Sequence, residues 1–323
     1  MFRFQTLIVG VAGLLVWTFT VTAAPTSFTL ESARLKLCVE TNGLMGLRDK
    51  ATGCEWRQTT TARSAGIKLK RVTPVSFTSL SLQLEMQGHS FDATVSLVAR
   101  GTEVEVALTG KTLPRELYYP PPFLPSPNAS LILAIKEGLA VPVQDTTVFF
   151  DHQKRGWFQF FEGHNASMPF WGFANKTGTG LMTLVMTPND AAFLISRQNG
   201  LLTDQVAWHP EFGLVGYARR LRYIPLKGGG YVAMANRYRE QARQDGLIKT
   251  LKEKIRANPN VERLLGAANV WFLDFHHEIK DSNIIAGELQ ELVVTRAIFA
   301  GGGGWWTQMT SNEITNVNAL GFL

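Results

Sequence analysis

Apolar and polar residues alternate with period two in one stretch after another between residue 25 and about residue 225. Arg34-Leu35-Lys36-Leu37-Cys38-Val39 alternates, and Asn42-Gly43 supplies a hairpin turn. Leu44 to Asp49 continues as a strand, Ala51-Thr52-Gly53 turns again, and Cys54-Glu55-Trp56 returns. Ser79 to Met86, Asp92 to Leu97 and Glu103 to Leu108 carry the same period, which is that of a half-buried strand. Leu181 to Met186 and Ala192 to Ser196 are later strands, and Trp208 to Ile224 is extended as well. Short strands divided by turns predict an antiparallel β-sandwich. Pro120-Pro121-Pro122 to Pro127 predicts a stiff, extended loop.

Near Gly228 the period changes. Tyr231, Ala235, Tyr238 and Ala242 recur at helical spacing, with Gly246 as the stop. Leu247, Leu251 and Ile255 mark a second helix ending at Asn258-Pro259. Ala267 to Leu273 then predicts a strand, Asn283 to Leu292 a helix and Val294 to Phe299 a second strand. Ala300 to Thr310 is a glycine-rich loop, and Thr310 with Glu313 forms a capping box for a further helix. Strand, helix, strand, helix is the opening of a parallel α/β domain. A closed barrel of eight such units takes about 250 residues. About 60 follow Ala267, so the expectation is an incomplete barrel.

The first residues belong to neither fold. Arg3 precedes an apolar run from Leu7 to Val21, and Val21-Thr22-Ala23 places small residues at its exit. This is the pattern of a cleavable secretory signal over residues 1–23, and the run is shorter than a spanning helix requires. A secreted or periplasmic protein is expected, with no membrane association after cleavage. The organisation that follows is a β-sandwich over 25–227, a helical linker over 228–265 and the start of a (β/α) barrel over 266–323. The fold class is thus mainly β, then α/β.

Composition narrows the classes of function. Of 323 residues, 45% are hydrophobic and 18% charged, which argues for a filled core and against disorder. The net charge of +6 contains no basic block of nucleic-acid type. Lys68, Lys70 and Arg71, and likewise Arg219, Arg220 and Arg222, are expected on solvated strand faces. Cys38 and Cys54 fall in adjoining predicted strands, so export leaves both a disulfide and two small buried thiols open. No Cys/His cluster has metal-ligand spacing, the pair His276-His277 included, and neither metal nor cofactor is expected. Asn128-Ala-Ser, Asn165-Ala-Ser and Asn175-Lys-Thr match the N-glycan acceptor pattern.

Four stretches resemble a known architecture. They are the opening hairpin from Asn42-Gly43-Leu44 to Cys54-Glu55-Trp56, then Met168-Pro-Phe-Trp-Gly172, then Tyr231-Val-Ala-Met-Ala-Asn-Arg-Tyr-Arg239 with Gly246-Leu247, and Gly266-Ala-Ala-Asn-Val-Trp-Phe272. Together they resemble multi-domain glycoside hydrolases that place a β-sandwich ahead of a (β/α) barrel, in particular endo-α-N-acetylgalactosaminidase-like and α-galactosidase-type enzymes. The resemblance implies action on α-linked glycans by a full-length form. It also implies nucleophile and acid carboxylates on later barrel strands, and no residue of this sequence matches either role.

Sugar recognition needs aromatic faces for stacking and polar groups for hydroxyls. Trp271 lies in the first parallel strand and Asp274 just past it, where strand ends of such folds face the site. Trp305 and Trp306 follow Gly301 to Gly304 after the second strand. These four are the candidate substrate-binding residues. The plain alternatives are a helix-capping Asp and tryptophans that pack within a barrel. The aromatic-dense segment Trp157 to Trp171, with Glu162, His164 and Asn165, is expected either to touch substrate or to form a hydrophobic seam between domains. No nucleophile-elbow signal is present. The rival readings are a non-catalytic carbohydrate-binding sandwich and a structural or assembly protein; the oligomeric state is not legible.

Overall fold

The computed structural model describes residues 27–147, 157–160, 166–210, 216–272 and 282–301. Strands β1 (Ser27–Glu31), β2 (Leu35–Glu40), β3 (Met45–Asp49) and β4 (Glu55–Arg57) form a four-stranded antiparallel meander. The Asn42-Gly43 turn closes as the pattern predicts. Gly43 takes φ +85° and its N–H reaches the Glu40 carbonyl at 2.9 Å. Asn42 Oδ1 accepts the Leu44 N–H at 2.9 Å. At the opposite turn Asp49 is wholly buried and accepts from Arg34 at 3.3 Å. Burial pushes the Asp49 carboxyl up, but Arg34, the Ala51 N–H and Thr52 outweigh it and hold it below its ordinary range.

Facing the meander is a nine-stranded antiparallel sheet. Its order is β10 (Leu139–Pro142), β9 (Ser130–Ile135), β12 (Ala166–Ala174), β13 (Gly180–Val185), β16 (Arg219–Leu226), β8 (Glu103–Gly110), β7 (His89–Val98), β6 (Ser79–Met86) and β5 (Lys68–Ser76). A three-stranded sheet of β11 (Trp157–Gln159), β14 (Ala191–Gln198) and β15 (Leu201–Trp208) continues the layer of the meander. Leu35, Leu37 and Val39 of β2 meet Leu82, Phe91, Val95 and Val106 of the large sheet, and Phe193, Val206 and Trp208 extend the same core. Each large apolar side chain so buried is worth about 1.5–3 kcal/mol. The fold is the expected sandwich. Trp208 ends β15 and β16 begins at Arg219, so one extended run from Trp208 to Ile224 is replaced by two strands in different sheets.

The outer face of the large sheet is also covered. Helix α1 (Gly230–Gln244) seats Met234 against Phe170, Met182, Leu184 and Ile224. Gly172 makes this possible, because a Cβ there would lie 2.8 Å from Met234 Cε and 2.5 Å from the Leu181 carbonyl. The helix stops at Gly246, which takes φ +71° while the Leu247 N–H returns to the Ala242 carbonyl at 2.8 Å.

Contact clustering divides the chain into Met1–Tyr238 and Arg239–Leu323. In the second unit α2 (Leu251–Ala257) begins four residues later than the apolar spacing from Leu247 suggests. Thr250 and Glu253 form a capping box, which fixes the start. A parallel pair follows, β17 (Ala268–Phe272) and β18 (Ala297–Gly301), with α3 (Ser282–Glu291) between them in sequence. Strand β18 starts later than Val294, since the Val294 N–H is spent on the Leu289 carbonyl at 2.8 Å, closing the end of α3. Among the described residues no helix is long and apolar enough to cross a membrane.

Cys38 and Cys54 are free thiols. They do not lie on adjoining strands. Cys38 is in β2 opposite Gly46 and Cys54 leads into β4, with β3 between them. Strands two apart in a sheet are about 9–10 Å from one another, beyond disulfide reach.

Candidate functional site at the carboxyl end of the parallel strands

Strands β17 and β18 run side by side in register from Ala268↔Ala297 to Phe272↔Gly301. Trp271 is the last residue but one of β17 and pairs with Ala300. The parallel register means that the chain leaves both strands at the same edge, from neighbouring positions about 4.8 Å apart. That edge is the carboxyl end, where folds of this class gather their ligand-binding segments. The segment carrying Asp274 begins after Phe272, and the one carrying Trp305 and Trp306 begins after Gly301. Asp274, Trp305 and Trp306 lie outside the described residues, as do Glu162, His164, Asn165 and the pair His276-His277. Among the described residues no three His, Cys, Asp or Glu side chains stand close enough to hold a metal ion.

Earlier in the chain, α1 is fixed to the large sheet by a charge network that sequence patterning missed. Glu103 and Glu105 project from one face of β8, and Arg220 and Arg222 from the facing strand β16. Arg222 donates to Glu105 at 2.8 Å and Glu103 at 3.3 Å, and Arg220 to Glu105 at 2.8 Å. Arg237 of α1 completes the set with two bonds to Glu103, at 2.6 and 2.9 Å. Burial pushes Glu105 up, but its two arginines prevail and keep the carboxyl below its ordinary range. Arg219 turns to the other side, where it is 2% exposed, pairs with Asp190 and stacks on the Tyr217 ring. Arg219 and Arg222 therefore do not stand on the solvated face expected of them, whereas the Arg220 side chain is 40% exposed. Two acids and two arginines, each spaced i, i+2 on separate strands, were the available signal.

Of the aromatic segment Trp157 to Trp171, residues 161–165 lie outside the described residues, and Phe170 packs against Tyr238 of α1 at 5.6 Å. Trp171 is fully buried within the sandwich, stacked on Phe193 at 4.9 Å and on Phe160 at 6.0 Å. It belongs to the core of the sandwich and not to a seam between domains. Beside it stands Asp204, on the stripe of β15 that carries Leu202, Val206 and Trp208 into the core. The Trp171 indole faces the Asp204 carboxyl without a hydrogen bond of normal geometry. Burial raises Asp204 to about 7, with Trp171 offsetting a little. Tyr119, Tyr223 and Gln58 surround this polar island.

The architecture has counterparts among solved structures. Alpha-N-acetylgalactosaminidase NagBb from Bifidobacterium bifidum matches in its ligand-free form with a TM-score of 0.67 at 16% identity, over 85% of this chain and 52% of that one. Its GalNAc complex matches with a TM-score of 0.68 at 15% identity, over 92% of this chain and 58% of that one. This chain shares its fold with a glycoside hydrolase. It spans little more than half the length of NagBb. The GH36 alpha-galactosidase AgaB from Geobacillus stearothermophilus aligns over 93% of this chain and 55% of its own at 10% identity, but its TM-score of 0.38 adds nothing to the comparison. No protein-family model and no curated protein matches the sequence.

Proposed function

We propose that this is an exported carbohydrate-active protein of glycoside hydrolase type, acting in its full-length form on α-linked glycans. The observation that carries the reading is the likeness of fold to NagBb over 85% to 92% of the chain, supported by the succession of sandwich, α1 and parallel strands. Sugar is bound at the carboxyl end of β17 and β18. Trp271, Trp305 and Trp306 supply ring faces there, and Asp274 accepts from a hydroxyl. Hydrolysis takes two carboxyl groups flanking the scissile bond, and this sequence assigns neither. The isolated chain is therefore expected to bind glycan without cutting it, and to occupy the secreted or periplasmic space once residues 1–23 are removed.

Titration calorimetry of the whole chain with N-acetylgalactosamine and galactose tests the site. Changing Trp305 or Trp306 to Ala should weaken binding at least tenfold, because a stacked ring is worth about 1 kcal/mol or more beyond its buried area. Unchanged affinity in both variants removes these residues from the site. Turnover of aryl α-N-acetylgalactosaminides by the chain would mean that carboxylates within it do the chemistry. Mass spectrometry should find a mature N-terminus near Ala24 or Pro25, and an intact Met1 in the membrane fraction would defeat the export reading.

A further inference from the structure

A groove of about 920 Å³ runs along the sandwich where the β9–β10 edge, the β12–β13 turn and the start of α1 meet. Buried Ile132 and Ala174 form its floor, and Pro142 and Tyr231 add apolar walls. The Tyr231 ring is 65% exposed. Around this apolar strip stand Asn128, Gln144, Asn175 and Lys176. The glycines make the wall firm: a Cβ on Gly178 would lie 2.5 Å from the Gly229 nitrogen, so turn and helix touch backbone to backbone. The Gly230 N–H donates to the Gly178 carbonyl at 3.1 Å.

Within the polar rim, Asn175 is set in place. Asn175 Oδ1 accepts from the Thr177 N–H at 3.0 Å, the Thr177 hydroxyl at 2.7 Å and the Thr179 N–H at 3.0 Å. This fixes the amide plane and leaves its NH₂ group without a partner among the described residues. Asn128, Gln144, Lys176 and the Tyr231 hydroxyl likewise have no side-chain partner among the described residues. Side-chain amides around an exposed ring match an amphipathic ligand that carries hydroxyls on its edges and C–H groups on its faces. Among the described residues no Asp or Glu lines the groove, so no pair of carboxyls for glycoside hydrolysis stands there among them. One cation without a cluster is a poor match to a polyanion.

We propose that this groove is a second, non-catalytic glycan-binding site that takes a neutral oligosaccharide, with Tyr231 as its stacking platform and Asn175 and Gln144 as its hydroxyl readers. The proposed function enters only in the choice of probes. The experiment uses the whole chain carrying both Trp305→Ala and Trp306→Ala, so that the site at the parallel strands is disabled. Saturation-transfer NMR and titration then measure binding of galactobiose, maltotriose and chitotriose. The expected result is residual binding of at least one of them, weakened tenfold or more by Tyr231→Ala and severalfold by Gln144→Ala. Both side chains are exposed, and an unchanged circular dichroism spectrum confirms that the variants fold. No residual binding, or residual binding indifferent to Tyr231→Ala and Gln144→Ala, overturns the proposal. The reading of the parallel-strand site fails separately, when the paired tryptophan changes leave the binding of the parent chain unaltered.

Discussion

The two units solve the problem of apolar surface in opposite ways. In the sandwich, one face of the nine-stranded sheet packs on the meander, and α1 covers part of the other. In the second unit the described strands are a single parallel pair. Leu247, Leu251, Leu264, Leu265, Leu292 and Val293 are exposed there, the last two at 73% and 81%. A parallel sheet is normally covered on both faces. Stability is therefore expected to reside in the first unit, and four substitutions test that division.

The largest expected effect is at Asp204. Its folded-state pKa of about 7 stands above the ordinary value of 3.8. An acid raised in this way contributes stability that is fully present below pH 3.8 and lost as pH rises through about 7. The difference amounts to about 4 kcal/mol between pH 4 and pH 8. Asp204→Asn should flatten that slope in urea midpoints followed by tryptophan fluorescence. A slope equal to that of the parent chain would place the titration elsewhere.

Next comes Glu103→Ala, which strips Arg237 of its two bonds and Arg222 of one. Removing one member of a buried ion pair costs about 3–5 kcal/mol. The loss should be seen in the sandwich transition by calorimetry, and a change under 1 kcal/mol, well below that range, would show that apolar packing through Met234 and Tyr238 suffices to hold α1. Gly172→Ala should cost about 1–3 kcal/mol through crowding of Met234 and the Leu181 carbonyl. Pairing it with Met234→Ala should recover part of the loss. The smallest effect sharpens the comparison most. Thr250→Ala removes the capping box of α2, worth about 1 kcal/mol. It should raise hydrogen exchange in α2 and leave the sandwich midpoint in place; a moved midpoint would show that the units unfold together.

The ease with which the fold could be read followed the same division. Strands with one solvated face, such as β6, announced themselves by alternation, burying Leu80, Leu82, Leu84 and Met86 between more exposed neighbours. Strand β9 is buried on both faces through Leu131 to Ile135, so its period vanished and it escaped notice. Strand β15 escaped for the opposite reason: Thr203, Asp204 and Gln205 break the apolar run from Leu201 to Trp208, yet all three are buried. Gln205 is held by Thr61 and by the Tyr118 carbonyl, partners too distant in sequence to foresee. Arg237 and Glu103 are 134 residues apart, and spacing rules see nothing at that range. At the candidate site the position of Trp271 near the end of its strand was legible, because a strand between a turn and a helix fixes its own ends.

The margins of the nine-stranded sheet carry one further consequence. Strand β5 presents Lys68, Lys70 and Arg71, lacks an N–H at Pro74, and slips register on β6 at two places. At the other margin β10 is four residues long and ends in Pro142. Both borders thus refuse a further strand. Crowding exposes chains to one another before they have finished folding. A sandwich with such borders can be held at high concentration without seeding fibres, and replacing Pro74 and Lys70 by Val would be the shortest route to turning it into a polymer.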